Sequence, residues 1–180
     1  STLHNRRVAR IIAVANQKGG VAKTTTAITL AAVLADTGHA VLVIDFDAQA
    51  CATFSLGIDP EDLPPRTADF LLDDLPSSEG AAQMRSAIRT TDEGFSLLPA
   101  TLSLASADVS LADRPARERT LSRILDEIRD TFDVIVIDCS PSLGLTTINA
   151  LVAADDVLVP FKCETLSHRG LGQLMESIDE

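Results

Sequence analysis

The chain of 180 residues is 46% apolar and 23% charged, which suits one domain with its own core and excludes a disordered segment. Its 15 Lys and Arg stand against 26 Asp and Glu, a formal charge of −11. That balance excludes a surface built throughout to grip nucleic acid, while leaving room for a local basic patch.

Residues 1–10 are polar and basic with no apolar stretch behind them, so they read as a flexible basic tail over 1–7 and not as a signal peptide. Residues 8–15 (VARIIAVA) form a continuous apolar strand. After a glycine-containing turn, a Thr-, Ala- and Leu-rich helix is predicted over 23–36, with Gly38 as its C′ residue. The next strand covers 40–46 (AVLVIDF). From 58 to 94, Pro60, Pro64, Pro65 and Pro76 and the acidic group Asp69, Asp73 and Asp74 break the pattern. That stretch is predicted to be an irregular excursion within the same domain, with short helices at 67–72 and 80–89.

A strand follows at 95–99. Residues 117–130 then place Leu121, Ile124, Leu125 and Ile128 on one helical face. Strands at 132–137 (FDVIVI) and 156–160 (DVLVP) alternate with helices at 145–153 and 166–177. Runs that are apolar throughout, rather than alternating, mark strands buried on both faces of a parallel sheet. The expectation is a single α/β domain over 1–180, a mostly parallel β-sheet flanked by helices, with ligands at the strand C-terminal ends. No run approaches the ~18 apolar residues of a membrane span, which points to the cytoplasm and to no membrane partner. Cys51, Cys139 and Cys163 form no CxxC pair, so they are expected to be small buried apolar residues, without zinc or disulfides.

The segment Asn16-Gln17-Lys18-Gly19-Gly20-Val21-Ala22-Lys23-Thr24-Thr25-Thr26 joins the first strand to the first helix. Such a turn aims backbone N–H groups at one point, and the helix dipole and a lysine add positive charge. That is the chemistry of a nucleotide polyphosphate site. Lys23 is expected at the β/γ-phosphates, Thr24 on Mg²⁺ and Thr25 on an α-phosphate oxygen. The general pattern G-x-x-x-x-G-K-[ST] fails, because Gln17 and Ala22 replace its two glycines. The deviant form K-G-G-x-x-K-[ST] matches from Lys18 to Thr24. Ala22 costs on the order of 1 kcal/mol if its position needs positive φ. No N-K-x-D guanine signature occurs, which favours ATP.

With this loop, the chain resembles the deviant Walker A ATPases of the ParA/MinD type, and within them the ParA (Soj-like) partition branch. The resemblance extends over Val43–Gln49 (VIDFDAQ), Leu98-Pro99-Ala100, Asp133–Ser142 (DVIVIDCSPS), Asn149-Ala150-Leu151 and Val159–Glu164 (VPFKCE). It implies a P-loop NTPase fold with ATP and Mg²⁺ held by Lys18, Gly19, Gly20, Val21, Ala22, Lys23, Thr24 and Thr25. Asp47 is implied to orient the water that attacks the γ-phosphate. Asp45 lies two residues earlier on the same strand face and is expected to support Mg²⁺ or its water shell. Asp138 closes the apolar run 134–137 and is expected to hold Mg²⁺ through water. Cys139-Ser140-Pro141-Ser142 takes the place of the family's Cys-Pro-Pro-Ser. Asn149 fits either a satisfied core amide or a functional role.

Lys18 is implied to reach across a face-to-face dimer to the partner's phosphates, so that ATP joins the two copies. The resemblance further implies non-specific DNA binding, a ParB-like partner that stimulates weak hydrolysis, and association with the nucleoid. A MinD-like regulator acting on membrane or protein cargo is the alternative; 166–180 ends acidic and shows no basic amphipathic helix. An electron carrier of the nitrogenase iron protein kind needs paired cysteines and is disfavoured. Arg6, Arg7 and Arg10 form one basic cluster, and Arg114, Arg117, Arg119 and Arg123 another, read as solvated faces paired with Glu118, Asp126 and Glu127. Family members carry further strands and helices after the segment matching 159–164, so a C-terminal part is expected to be missing.

Overall fold

The computed structural model describes residues 8–63 and 77–162. The predicted helices at 67–72 and 166–177, the tail 1–7 and Cys163 lie outside the described residues. Among the described residues, six strands form one sheet: β1 Arg10–Val14, β2 Val41–Phe46, β3 Arg89–Thr90, β4 Ser96–Leu98, β5 Val134–Cys139 and β6 Asp156–Leu158. Their order is β3-β4-β2-β5-β1-β6. All neighbours are parallel except β3, which runs antiparallel to β4. The predicted mostly parallel sheet is therefore present, with a two-residue edge strand that the excursion had hidden.

The long helices are α1 Lys23–Asp36, α3 Ser77–Ala87 and α6 Leu145–Ala153; α2 Cys51–Ser55, α4 Ala107–Leu111 and α5 Thr120–Asp126 are short. Among the described residues, no helix is long and apolar enough to cross a membrane. The predicted helix over 117–130 is a 3₁₀ turn, Arg117–Arg119, continuing into α5. Its apolar face is as predicted: Leu121, Ile124, Leu125 and Ile128 are all buried.

Alternate strand residues point to opposite faces, which divides the core in two. Val14, Val41, Val43, Leu97 and Val136 meet Ala27 and Ala31 of α1. Ile11, Ala13, Leu42, Ile44, Ile135 and Ile137 belong to the second cluster, with Met84, Leu121, Ile124, Leu125 and Ala150. All six residues of β2 are buried, as expected of a central strand covered on both faces. The sheet edge at β6 is pinned by charge: Arg10 pairs with Asp156, and Arg129 donates to Asp155 Oδ2 at 2.7 Å. Asp155 Oδ2 also accepts the Ile11 amide at 2.8 Å.

Candidate functional site

Parallel register brings the carboxylates together. Val14, Asp138 and Asp45 occupy one row across β1, β5 and β2. Paired residues in adjacent strands share a face, and this row shares its face with Val43 and Val136, which pack toward α1. Asp45 and Asp138 therefore rise on the α1 side at the C-terminal edge of the sheet, where the 15–22 loop also ends.

The loop leaves β1 under firm control. The Ala15 amide donates to Leu158 O at 3.1 Å. Asn16, only 7% exposed, donates from Nδ2 to Pro160 O at 2.7 Å and accepts the Lys18 amide through Oδ1 at 2.9 Å. Gly19 and Gly20 are exposed, and Gly20 has φ +71°. Ala22 precedes α1 with φ 65° and ψ 33°, the left-handed conformation in which a Cβ is unfavourable. The expected cost of alanine at this position is therefore present. The N-cap residue of α1 provides no side-chain cap, and its first turn contains no acidic residue. An uncapped first turn is the arrangement that receives an external anion. Lys23 is buried at this terminus, Thr24 is half-buried and Thr25 exposed.

Asp138 is 1% exposed, and neither of its carboxyl oxygens has a hydrogen-bond partner. Burial pushes its pKa up to about 7; the nearby Thr24 hydroxyl opposes the rise without reaching hydrogen-bond geometry, Asp45 adds to it and Lys23 opposes it. An orphaned buried carboxylate is costly unless something positive completes it. Thr24 and Asp138 accordingly fit a divalent cation. Among the described residues no group of three or more His, Cys, Asp or Glu is arranged as a metal cage. A cation here would be shared with a phosphate, as Mg²⁺ commonly is.

Asp45 is differently placed. Its Oδ2 accepts the amide and hydroxyl of Thr53 at 2.8 and 2.7 Å, and its Oδ1 accepts the Asp47 amide at 3.3 Å. Burial raises its pKa to about 6, against the Thr53 hydrogen bonds. Its oxygens thus hold the turn after β2. Asp47 is half-buried, and its Oδ1 accepts the Gln49 amide at 3.0 Å.

The pattern gave no signal for three positions that shape these turns: Asn16 as a clamp, Thr53 and Asp108. Asp108 Oδ1 accepts the amide and hydroxyl of Thr146 at 2.8 and 2.7 Å, capping α6 from α4. A methyl on Gly144 would meet Asp108 Oδ2 at 1.8 Å. Asn149 is a satisfied core amide, donating to Arg117 O at 2.8 Å and accepting the Leu121 amide at 3.0 Å.

Cys139 is buried as expected, and burial pushes its thiol pKa up. Cys51 is exposed at the start of α2, contrary to the expectation of a buried residue, because α2 turns its first position to solvent. Arg10 is engaged by Asp156, and Asp126 pairs with Arg129 at 3.5 Å. Arg117 and Arg123 donate to the carbonyls of Ala112 and Arg119.

Comparison with known proteins places this geometry. The AAA domain family matches residues 9–180. The sporulation initiation inhibitor protein Soj of Bacillus subtilis is 44% identical over 170 residues, covering 94% of this chain and 64% of that protein. The chromosome partitioning protein ParA of Myxococcus xanthus is 43% identical, covering 96% of this chain and 59% of that protein. The chain thus spans less than two thirds of these curated relatives. A structure described as cobyrinic acid a,c-diamide synthase from Mycobacterium smegmatis, with bound ATP analog and magnesium, is 50% identical. It superposes with a TM-score of 0.86, covering 96% of this chain and 68% of that one. With its phosphate-loop turn, paired strand-end carboxylates and parallel sheet, the chain belongs to the AAA domain family and, within it, to the ParA/Soj type.

Proposed function

We propose that residues 1–180 form one domain, with 58–94 as an irregular excursion, that binds MgATP and hydrolyses it as part of a partition-type ATPase. The observation that carries this reading is the buried, unpartnered Asp138 beside Thr24, below the uncapped first turn of α1. On this reading the amides of Gly19–Ala22 and the Lys23 ammonium hold the β- and γ-phosphates, and Thr25 an α-phosphate oxygen. Thr24 and Asp138 would hold Mg²⁺, which screens charge on the phosphate oxygens. Asp45 adds its negative field behind them. Asp47 would accept a proton from a water aligned with the γ-phosphorus. The new P–O bond forms as the bond to the β–γ bridging oxygen breaks, releasing ADP and phosphate.

Lys18 would serve a second copy, neutralising its phosphates across an ATP-dependent homodimer. That dimer would bind DNA non-specifically on the nucleoid of the cytoplasm, and a ParB-like protein would accelerate hydrolysis and release. The name of the Myxococcus xanthus ParA relative supports the partition assignment. The test joins light scattering, a gel shift with DNA and steady-state hydrolysis. ATP should convert monomer to dimer, the dimer should shift DNA, and Lys18→Ala should remain monomeric while binding ATP. Hydrolysis indifferent to DNA and to a ParB-like protein would refute partition and favour a MinD-like scaffold on protein cargo or membrane. Hydrolysis that answers instead to a carboxylic acid and an amide donor would favour the synthase activity in the M. smegmatis protein's name.

A further inference from the structure

Thr53 is fully buried in α2 and is uncharged, so nothing in its chemistry announces a role. Its hydroxyl donates to Asp45 Oδ2 at 2.7 Å and accepts the Ala100 amide at 2.9 Å. Its own amide donates to the same carboxyl oxygen at 2.8 Å. Asp45 Oδ1 then accepts the amide of Asp47 at 3.3 Å. One hydrogen-bonded line therefore runs from the exit of β4, through Thr53 and Asp45, to the backbone of Asp47. A hydroxyl has a single proton, and Thr53 gives it to Asp45, so Ala100 meets a lone pair and the line has one direction. In a dry interior such connected groups hold each other in one arrangement.

Asp47 lacks comparable enclosure. It is half-buried, and its turn is followed by Ala50, another alanine held at positive φ, here 50°. A strained turn keeps its shape only when its surroundings determine it. The turn closes on itself through the Ala50 amide to Asp47 O at 2.8 Å and the Gln49 amide to Asp47 Oδ1 at 3.0 Å. The contacts that tie it to the interior behind it are the ones Thr53 organises. We propose that Thr53 is a positioning residue for Asp47, locking the 47–50 turn through Asp45 and joining it to the β4 exit. The inference rests on reading Asp47 as the carboxylate that orients water.

Thr53→Val keeps the shape and removes the hydroxyl, whereas Thr53→Ser keeps the hydroxyl. In the nucleotide-free chain, hydrogen exchange should quicken at the amides of Asp47 and Ala100 in Thr53→Val and stay at the wild-type rate in Thr53→Ser. With MgATP, Thr53→Val should lose about 10-fold in kcat with KM nearly unchanged, and Thr53→Ser should recover most of it. Unchanged exchange, a wild-type kcat, or a loss confined to nucleotide affinity would overturn the proposal. If Thr53→Val does not fold, Thr53→Cys replaces it. Its weaker donor should give an intermediate kcat, and a wild-type kcat there would also overturn the proposal. A wild-type chain that neither binds nor hydrolyses MgATP overturns the functional reading and this inference together. A wild type that turns over while Thr53→Val keeps its full rate overturns the inference alone.

Discussion

Two strand-to-helix turns at the same edge of the sheet are built in opposite ways. The turn from β1 to α1 leaves its helix without a side-chain cap, and the residue at the junction, Ala22, is held at φ 65°. The turn from β5 to α6 is closed by the molecule itself, with Asp108 reaching from α4 to the amide and hydroxyl of Thr146. The turn after β2 follows the second design, since Asp45 accepts the Thr53 amide inside α2. A helix N-terminus attracts negative charge wherever it lies. Two of these three termini take a carboxylate from the chain, and the first turn of α1 has no acidic residue of its own. That contrast, with Lys23 buried at the open terminus, supports the proposed phosphate site independently of the glycines.

The two kinds of terminus should differ most at Lys23. Lys23→Ala should abolish nucleotide binding by calorimetry, because no other lysine lies at the α1 terminus within its first turn; an unchanged affinity would show that the open terminus is not the phosphate site. Next in size is the closed terminus. Asp108→Ala should lower unfolding stability by about 1–2 kcal/mol through loss of a helix cap, and Gly144→Ala by a similar amount as the added methyl displaces that carboxylate. Denaturant melts would register both, with nucleotide affinity retained. Loss of affinity equal to that of Lys23→Ala would mean that the two termini do not have separate tasks.

The smallest effect is expected at Ala22. Left-handed backbone costs an L-residue roughly 1–2 kcal/mol, and glycine returns roughly 0.4–1 kcal/mol of that through a freer unfolded chain. Ala22→Gly should therefore raise stability by about 0.5–1 kcal/mol, whereas Ala22→Val should lower it. A stability decrease in the glycine variant would mean that the alanine is not strained.

Much of this was readable along the chain. Continuous apolar runs predicted the parallel strands, since a strand covered on both faces has no polar side to show. The lysines and glycines of the 18–24 segment pointed to phosphate chemistry through their spacing alone. The strand ends also announced Asp45 and Asp138. What could not be read was how those carboxylates differ. Asp45 and Asp138 share a row and a face, yet Asp45 is held by Thr53 and Asp138 has no partner. The edge strand β3 was missed because two residues are too few to display any period. Cys51 was misjudged because cysteine's usual burial is a statement about averages, and α2 presents that position to solvent.

The sequence by itself determined the α/β architecture and carried the pattern proposed to hold phosphate, because both depend on neighbours a few residues apart. Only the tertiary structure decided which helix terminus stays open, which carboxylate stays unpaired and what holds each turn. Those outcomes depend on contacts such as Asn16 with Pro160, Thr53 with Ala100 and Asp108 with Thr146. Hydrogen bonds of this kind need only one donor and one acceptor brought within reach by packing, so they leave no periodic trace in the chain.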